Sequence, residues 1–218
     1  MLFNKQNLDS ILAEVKKYNA TLVAVSKTKP AEAVKAVFQS GHPIFGENYV
    51  QELLDKSGQL PPDIQWHFIG HLQTNKVKQL AGFISLIQSV DSLKLIQEIN
   101  KQAAKNNRTI DCLLEIHIAS EETKFGLSIP EVETLLNESE QLPHVKLRGL
   151  MGMASLTGEE QIIRSEFQSL RKLFEQLKKD RHGFDILSMG MTSDYRIALE
   201  EGSTMIRIGS AIFGSRSL

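Results

Sequence analysis

Two lysines follow the first apolar run of the chain, where a β/α protein keeps its reactive groups. Lys27 comes directly after Leu22-Val23-Ala24-Val25 and a single serine. Apolar surroundings lower the pKa of a lysine, and the neutral amine is a nucleophile toward an aldehyde. The alternative is a rim lysine whose stem is buried and whose head lies in water. We expect Lys29 to be a solvated loop residue.

Two turns near the end of the chain combine glycine, hydroxyl groups and the start of a helix. Met191-Thr192-Ser193 follows one apolar run, and Gly209-Ser210 follows the next. Unpaired amides and the helix dipole favour an anion at such positions, and barrels often bind phosphate after strands seven and eight. Ser193 is alternatively a plain N-cap. With Arg207 between the turns, the set predicts a site for a small phosphorylated aldehyde.

Three further polar residues follow the second and third apolar runs. Asn48 either donates a hydrogen bond to a ring substituent or caps a helix, and the sequence leaves both open. His67 and His71 are metal-ligand types, but no third ligand accompanies them. We therefore expect no metal site here.

Short apolar runs alternate with amphipathic segments eight times, which predicts parallel strands with helices outside them. The predicted strands are 22–25, 42–46, 65–69, 84–90, 110–118, 145–151, 186–189 and 205–208. The predicted helices are 8–18, one after Pro30, 48–55, 75–80, 92–106, one opening at Pro130, 162–179, 193–200 and a short one near Ala211.

Eight such units predict a single (β/α)₈ TIM barrel spanning residues 1–218, preceded by an extra N-terminal helix. An open doubly wound sheet is the alternative. Its first βα turn often contains glycines that bind a dinucleotide, whereas residues 26–30 contain none.

Composition limits the classes of partner. The net charge is −1, so we expect no nucleic acid partner. No apolar run approaches the length of a membrane helix, and the N-terminus lacks a signal-peptide pattern. Cys112 is the only cysteine, which excludes an intrachain disulfide. We expect a cytoplasmic protein without a membrane partner.

Longer motifs carry a family resemblance along most of the chain. The sequence resembles the pyridoxal phosphate homeostasis family (the YggS/PROSC type), which is related to the N-terminal barrel of alanine racemase. The matching segments are AVSKTKP at 24–30, FGENYVQE at 45–52, WHFIGHLQTNK at 66–76, LSMGM at 187–191, and 202–214 with RIGSAIFG at its end.

The resemblance implies a fold-type III barrel that binds pyridoxal 5′-phosphate (PLP) as a Schiff base on Lys27. It implies that Arg207 faces the pyridine nitrogen and that Asn48 lies near the ring. It assigns the phosphate to Met191, Thr192, Gly209 and Ser210. Thr192 stands where serine is typical and Ser210 where threonine is typical, but both keep a hydroxyl. Lys124 matches a family lysine and is a candidate secondary contact.

The resemblance also bears on catalysis. An arginine keeps the pyridine nitrogen unprotonated, which weakens the ring as an electron sink. In the related racemase a catalytic tyrosine comes from a β domain after the barrel, and we expect no such domain here. We therefore predict a monomeric, non-catalytic PLP carrier that hands the cofactor to apo-enzymes. The alternatives are a PLP-dependent racemase or other small PLP enzyme, and a cofactor-free Schiff-base lyase acting on a sugar phosphate.

Overall fold

Eight parallel strands close into a barrel in the computed structural model, which describes residues 2–121 and 125–215. Each strand pairs with its neighbours in chain order, and the last strand returns to the first, with Val23 beside Arg207. The strands are β1 Thr21–Val25, β2 Ile44–Glu47, β3 Gln65–Phe68, β4 Leu86–Val90, β5 Ile110–Ile116, β6 Val145–Gly152, β7 Ile186–Ser188 and β8 Met205–Ile208.

Helices connect the strands and surround the barrel. They are α1 Lys5–Lys17, α2 Ala31–Gln39, α3 Val50–Ser57, α4 Val77–Leu80, α5 Leu93–Lys105, α6 Ile129–Ser139, α7 Glu160–Lys178, α8 Tyr195–Glu200 and α9 Ser210–Phe213. A 3₁₀ turn, Thr74–Lys76, precedes α4. Among the described residues, none of the helices is both long enough and apolar enough to cross a membrane.

The two faces of each strand have different neighbours because successive side chains alternate. Outward residues such as Leu22 and Ala24 join the large core between strands and helices. Inward residues form a smaller core in the centre of the barrel, as expected for a packed rather than hollow barrel. This inner core contains Val23, Leu86, Leu113, Met151 and Met205.

A layer of buried polar side chains also lies inside the barrel. Ser188 donates through its hydroxyl to Oε1 of Gln88 at 2.7 Å, and Nε2 of Gln88 donates to Nδ1 of His67 at 3.0 Å. All three residues are at least 95% buried. Burial, reinforced by nearby His42, lowers the pKa of His67 to about 3, so its ring stays neutral.

The prediction of an eight-stranded barrel with an added N-terminal helix is confirmed, although most of the bounds differ by one to three residues. β2 begins at Ile44 rather than at residue 42, because Pro43 has no amide hydrogen to donate to the ladder. α1 begins earlier than predicted, at Lys5, because the Asn4 side chain accepts from the Asn7 amide and caps it. α8 begins at Tyr195 rather than at residue 193.

We expect His67→Gln to flatten the dependence of stability on pH. The folded-state pKa of about 3 lies below the unfolded value of 6.5, so unfolding takes up a proton as the pH falls below 6.5. The contribution of the neutral His67 ring to the free energy of unfolding is complete above pH 6.5. It is lost toward pH 3, at about 1.4 kcal/mol per pH unit.

Urea unfolding at pH 6.5 and pH 5 measures this effect. Wild type should lose about 2 kcal/mol more stability than His67→Gln over that interval. His182→Gln, at an exposed histidine, serves as the matched control. Equal losses in wild type and His67→Gln would contradict the assignment of a neutral, buried ring.

Candidate functional site

A cavity of about 530 Å³ opens at the C-terminal ends of the strands, where barrel proteins keep their sites. Its apolar lining includes Val25, Ile69, Met153 and Leu156. Apart from the candidate secondary contact Lys124, the residues that the sequence assigned to the cofactor line this one cavity. They are Lys27, Asn48, Met191, Thr192, Arg207, Gly209 and Ser210.

Lys27 extends the inward row of β1 one step beyond Val25, and its side chain is half-buried. The chain turns here, with the Lys29 amide donating to the Ser26 carbonyl at 3.0 Å. Lys29 also lines the cavity, and its Nζ donates to the Ser215 carbonyl at 2.8 Å. The predicted reactive amine therefore lies at the cavity wall, and Lys29 connects the same loop to the last described segment.

Asn48 is the second lining residue, and it does not cap α3. Tyr49 is the N-cap of that helix, and no side chain caps it. The Oδ1 atom of Asn48 is buried and meets no hydrogen-bond donor within the described residues. A Cβ at Gly70 would lie 2.8 Å from the Asn48 Cα, so only glycine lets the loop after β3 pass this close to the Asn48 backbone. Of the two roles that the sequence left open, the structure therefore favours contact with a ligand over helix capping.

Arg207 forms the floor of the cavity and is 96% buried. Its Nη1 donates to the carbonyl and the hydroxyl of Ser188 at 2.9 and 2.6 Å, and its Nη2 donates to the Gly152 carbonyl at 3.0 Å. Burial lowers the pKa of Arg207 to about 10, while Glu115 and Asp194 favour its charged form. The guanidinium thus stays charged at neutral pH and is fixed in direction.

Glu115 places a carboxyl group in the electrostatic field of Arg207. Burial and, to a lesser extent, nearby Asp91 raise the pKa of Glu115 to about 7, and Arg207 opposes both effects. A carboxyl group that titrates near neutrality therefore lies close to the fixed guanidinium, although it does not line the cavity.

The turn after β7 is closed by a residue that the sequence analysis did not single out. Asp194 is 95% buried, and its Oδ1 accepts from the Met191 amide at 2.6 Å. Ser193 belongs to this turn rather than to the helix, whose N-cap is Asp194. The amides of Thr192 and Ser193 make no hydrogen bond within the described part of the chain. Two donors are therefore available where the sequence predicted an anion.

The turn after β8 lies beside β1. A Cβ on Gly209 would lie 3.0 Å from the Val25 carbonyl oxygen, so the absence of a side chain allows close packing. Ser210 begins α9, whose first amides lack partners within the helix. Because β7, β8 and β1 are consecutive around the closed barrel, both turns lie on the side of the cavity that Lys27 shares.

Other candidate residues lie elsewhere. Nδ1 of His71 contacts Oδ2 of Asp91 at 2.9 Å, and its ring stacks on Phe125 with centroids 4.2 Å apart. His67 lies in the polar layer, and the described residues contain no group of three side chains that could hold a metal. Tyr49 is 57% exposed and lies on a neighbouring groove. Lys124 lies outside the described residues.

Sequence reasoning missed the polar groups that support the site. Gln88 and Ser188 sit inside apolar runs that it interpreted only as strands. Glu52 and Lys56 are four residues apart in α3, a spacing that signals an ion pair but not a buried one. These partners come from distant segments, so only the fold brings them together.

Comparisons with known proteins agree with this geometry. The family model described as alanine racemase, N-terminal domain, matches residues 4–217. The pyridoxal phosphate homeostasis protein of Aquifex aeolicus is 42% identical over 199 residues, covering 90% of this chain and 87% of that protein. The Escherichia coli K12 protein of the same name is 38% identical over 203 residues, covering 90% and 86%.

Solved structures give the same result. PipY of Synechococcus elongatus, solved with PLP bound, superposes with a TM-score of 0.88 at 32% identity, covering 96% of this chain and 99% of PipY. An alanine racemase from Clostridium difficile shares the fold, with a TM-score of 0.77 at 14% identity, and this chain spans 56% of it. By the family model and by these relatives, the chain belongs to the pyridoxal phosphate homeostasis protein family, within the group defined by the alanine racemase N-terminal domain.

Proposed function

We propose that this protein binds PLP in the barrel cavity through Lys27 and acts in PLP homeostasis. The observation that carries the proposal is that one cavity is lined by an amine, a fixed guanidinium and two turns suited to an anion. PLP presents an aldehyde, a pyridine nitrogen and a phosphate, one group for each. The relatives' name and the PLP-bound PipY structure support the same ligand.

The buried Oδ1 of Asn48 gives a further test of whether PLP fits the cavity. A buried polar atom without a partner is costly, by about 1–3 kcal/mol, so a ligand that supplies a partner gains affinity. PLP carries a ring hydroxyl that can donate such a bond. The amide can also turn and donate through its nitrogen. The residues of the cavity therefore fit this cofactor in polarity as well as in charge.

Lys27 supplies the nucleophile in this proposal. When bound, PLP contributes an aldehyde carbon that a neutral amine attacks, with water released as the carbon–nitrogen bond forms. Water reverses the same bond, so the protein can hold the cofactor covalently and still release it. This reversibility is what a homeostasis function requires.

Arg207 favours holding the cofactor over transforming it. A charged guanidinium does not give up a proton to the ring nitrogen at neutral pH, and an unprotonated ring is a weak electron sink. We propose this role for Arg207, with Thr192, Ser193 and Ser210 at the phosphate. Transfer to apo-enzymes, a monomeric state and a cytoplasmic location remain predictions from the sequence.

We expect Lys27→Ala and Lys27→Arg to abolish the visible absorbance band that PLP gives with wild type. Neither side chain can form the carbon–nitrogen bond, and arginine keeps the positive charge. Spectrophotometry and borohydride reduction followed by peptide mass spectrometry test this. Lys35→Ala, at an exposed lysine of α2, is the matched control. A full band in either Lys27 variant would contradict the assignment.

We expect Thr192→Val to weaken the binding of PLP about tenfold and to leave the binding of pyridoxal unchanged. A hydroxyl that bonds a charged phosphate contributes about 1.5–3 kcal/mol, and pyridoxal has no phosphate. Fluorescence titration measures both dissociation constants. Thr134→Val, at an exposed position of α6, controls for the substitution itself. Equal weakening of both ligands would place the phosphate elsewhere.

We expect Arg207→Lys to remove the protein's preference for a ligand with a pyridine nitrogen over the same ligand without one. Wild type should bind PLP more tightly than its analogue with C–H in place of the ring nitrogen. Lysine lacks the planar fork that reaches both Ser188 and the ligand, so the two ligands should bind within about twofold of each other. An unchanged preference in the variant would show that Arg207 does not face that nitrogen.

A further inference from the structure

Three charged side chains are packed together behind the loop that carries Lys27. Glu47 ends β2, and Glu52 and Lys56 lie on α3. Nζ of Lys56 is 2.6 Å from Oε1 of each carboxylate. The Lys56 and Glu47 side chains are 95% and 100% buried, whereas Glu52 is partly exposed, so most of this Glu47–Glu52–Lys56 cluster is shielded from water.

The cluster fixes the residue after Lys27. Thr28 has a φ of +64°, a left-handed conformation that is rare for a β-branched residue and costs about 1–3 kcal/mol unless its surroundings enforce it. The surroundings here are specific: the Thr28 amide donates to Oε1 of Glu52 at 2.6 Å. Glu52 therefore holds Thr28 in a backbone conformation that the β-branched Thr28 side chain disfavours.

The cluster also fixes the residue before Lys27. The Ser26 hydroxyl donates to Oε1 of Glu47 at 2.6 Å, and the Ser26 carbonyl accepts from Nζ of Lys56 at 2.7 Å. Both neighbours of Lys27 are thus held by the same three charges. Lys27 lies between these two fixed residues, so the direction in which its stem leaves the backbone is restricted.

Stability alone does not account for these charges. Removing an ion cluster from water costs several kcal/mol for each ion, and apolar side chains in the same space often give equal or greater stability. Burial raises the pKa of Glu47 in spite of Lys56. Its Oε2 is buried without a hydrogen-bond partner among the described residues, so the cost is not fully offset.

We propose that the Glu47–Glu52–Lys56 cluster positions Lys27, so that its amine meets the aldehyde in a reactive orientation. None of the three residues lines the cavity, and they act through Ser26 and through the backbone of Thr28. This inference rests on the proposed function. It concerns the speed of bond formation rather than the affinity of the pocket for the cofactor's ring and phosphate.

Glu52→Ala tests the proposal, because this side chain is partly exposed and the fold should survive its loss. Two ligands separate positioning from binding. PLP can bond to Lys27, whereas pyridoxine 5′-phosphate carries an alcohol in place of the aldehyde and can only occupy the site. Stopped-flow absorbance gives the rate constant of bond formation, and fluorescence titration gives the dissociation constant of the alcohol.

We expect Glu52→Ala to slow bond formation about tenfold and to change the affinity for pyridoxine 5′-phosphate by less than about twofold. Asp55→Ala should change neither quantity, because this exposed carboxylate of the same helix has Gln51 as its one hydrogen-bond partner within the described residues. Equal losses of rate and affinity in Glu52→Ala would overturn the proposal in favour of a general structural role.

A second variant tests whether the cluster acts through the backbone conformation of Thr28. Glycine adopts a positive φ without help, so Thr28→Gly introduced into Glu52→Ala should recover much of the lost rate. No recovery would show that the Thr28 conformation is not what the cluster enforces. If wild type itself forms no visible band with PLP, the proposed function fails. If wild type forms the band and Glu52→Ala forms it equally fast, only this inference fails.

Discussion

The pairing of β8 with β1 is the interaction on which the site depends. It closes the sheet and brings the last two turns of the chain beside the first. Without it, Lys27 and the Gly209–Ser210 turn would lie at opposite edges of an open sheet. Closure also aligns the C-terminal ends of all eight strands at one mouth. Residues separated by nearly the whole chain then line a single cavity.

Hydrogen bonds from outside the cavity give this arrangement its precision. Asp194 closes the turn after β7, Ser188 and Gly152 hold the guanidinium of Arg207, and the Glu47–Glu52–Lys56 cluster holds the loop after β1. Each supporting group is buried or partly buried. The residues that line the cavity thus carry the reactive groups, and the residues behind them fix the positions of those groups.

Sequence predicted the strands well because each is a short apolar run. It singled out Lys27 and the two turns because each follows such a run, and Arg207 because it lies in the last run, between the two turns. It could not predict contacts between distant segments. The Ser193 hydroxyl suited an N-cap, but the Asp194 carboxylate reaches the Met191 amide and moves the helix start to Tyr195. Gln88 looked like part of an apolar strand, although the fold gives it partners in His67 and Ser188. Asn48 remained ambiguous until the start of α3 was known.

The fixed guanidinium of Arg207 has a consequence for release. Its three hydrogen bonds go to protein oxygens and do not involve a ligand. The guanidinium is therefore preorganised, and it has little side-chain entropy to lose when a ring arrives and little to regain when it leaves. Filling and emptying the cavity therefore requires no new arrangement of this side chain.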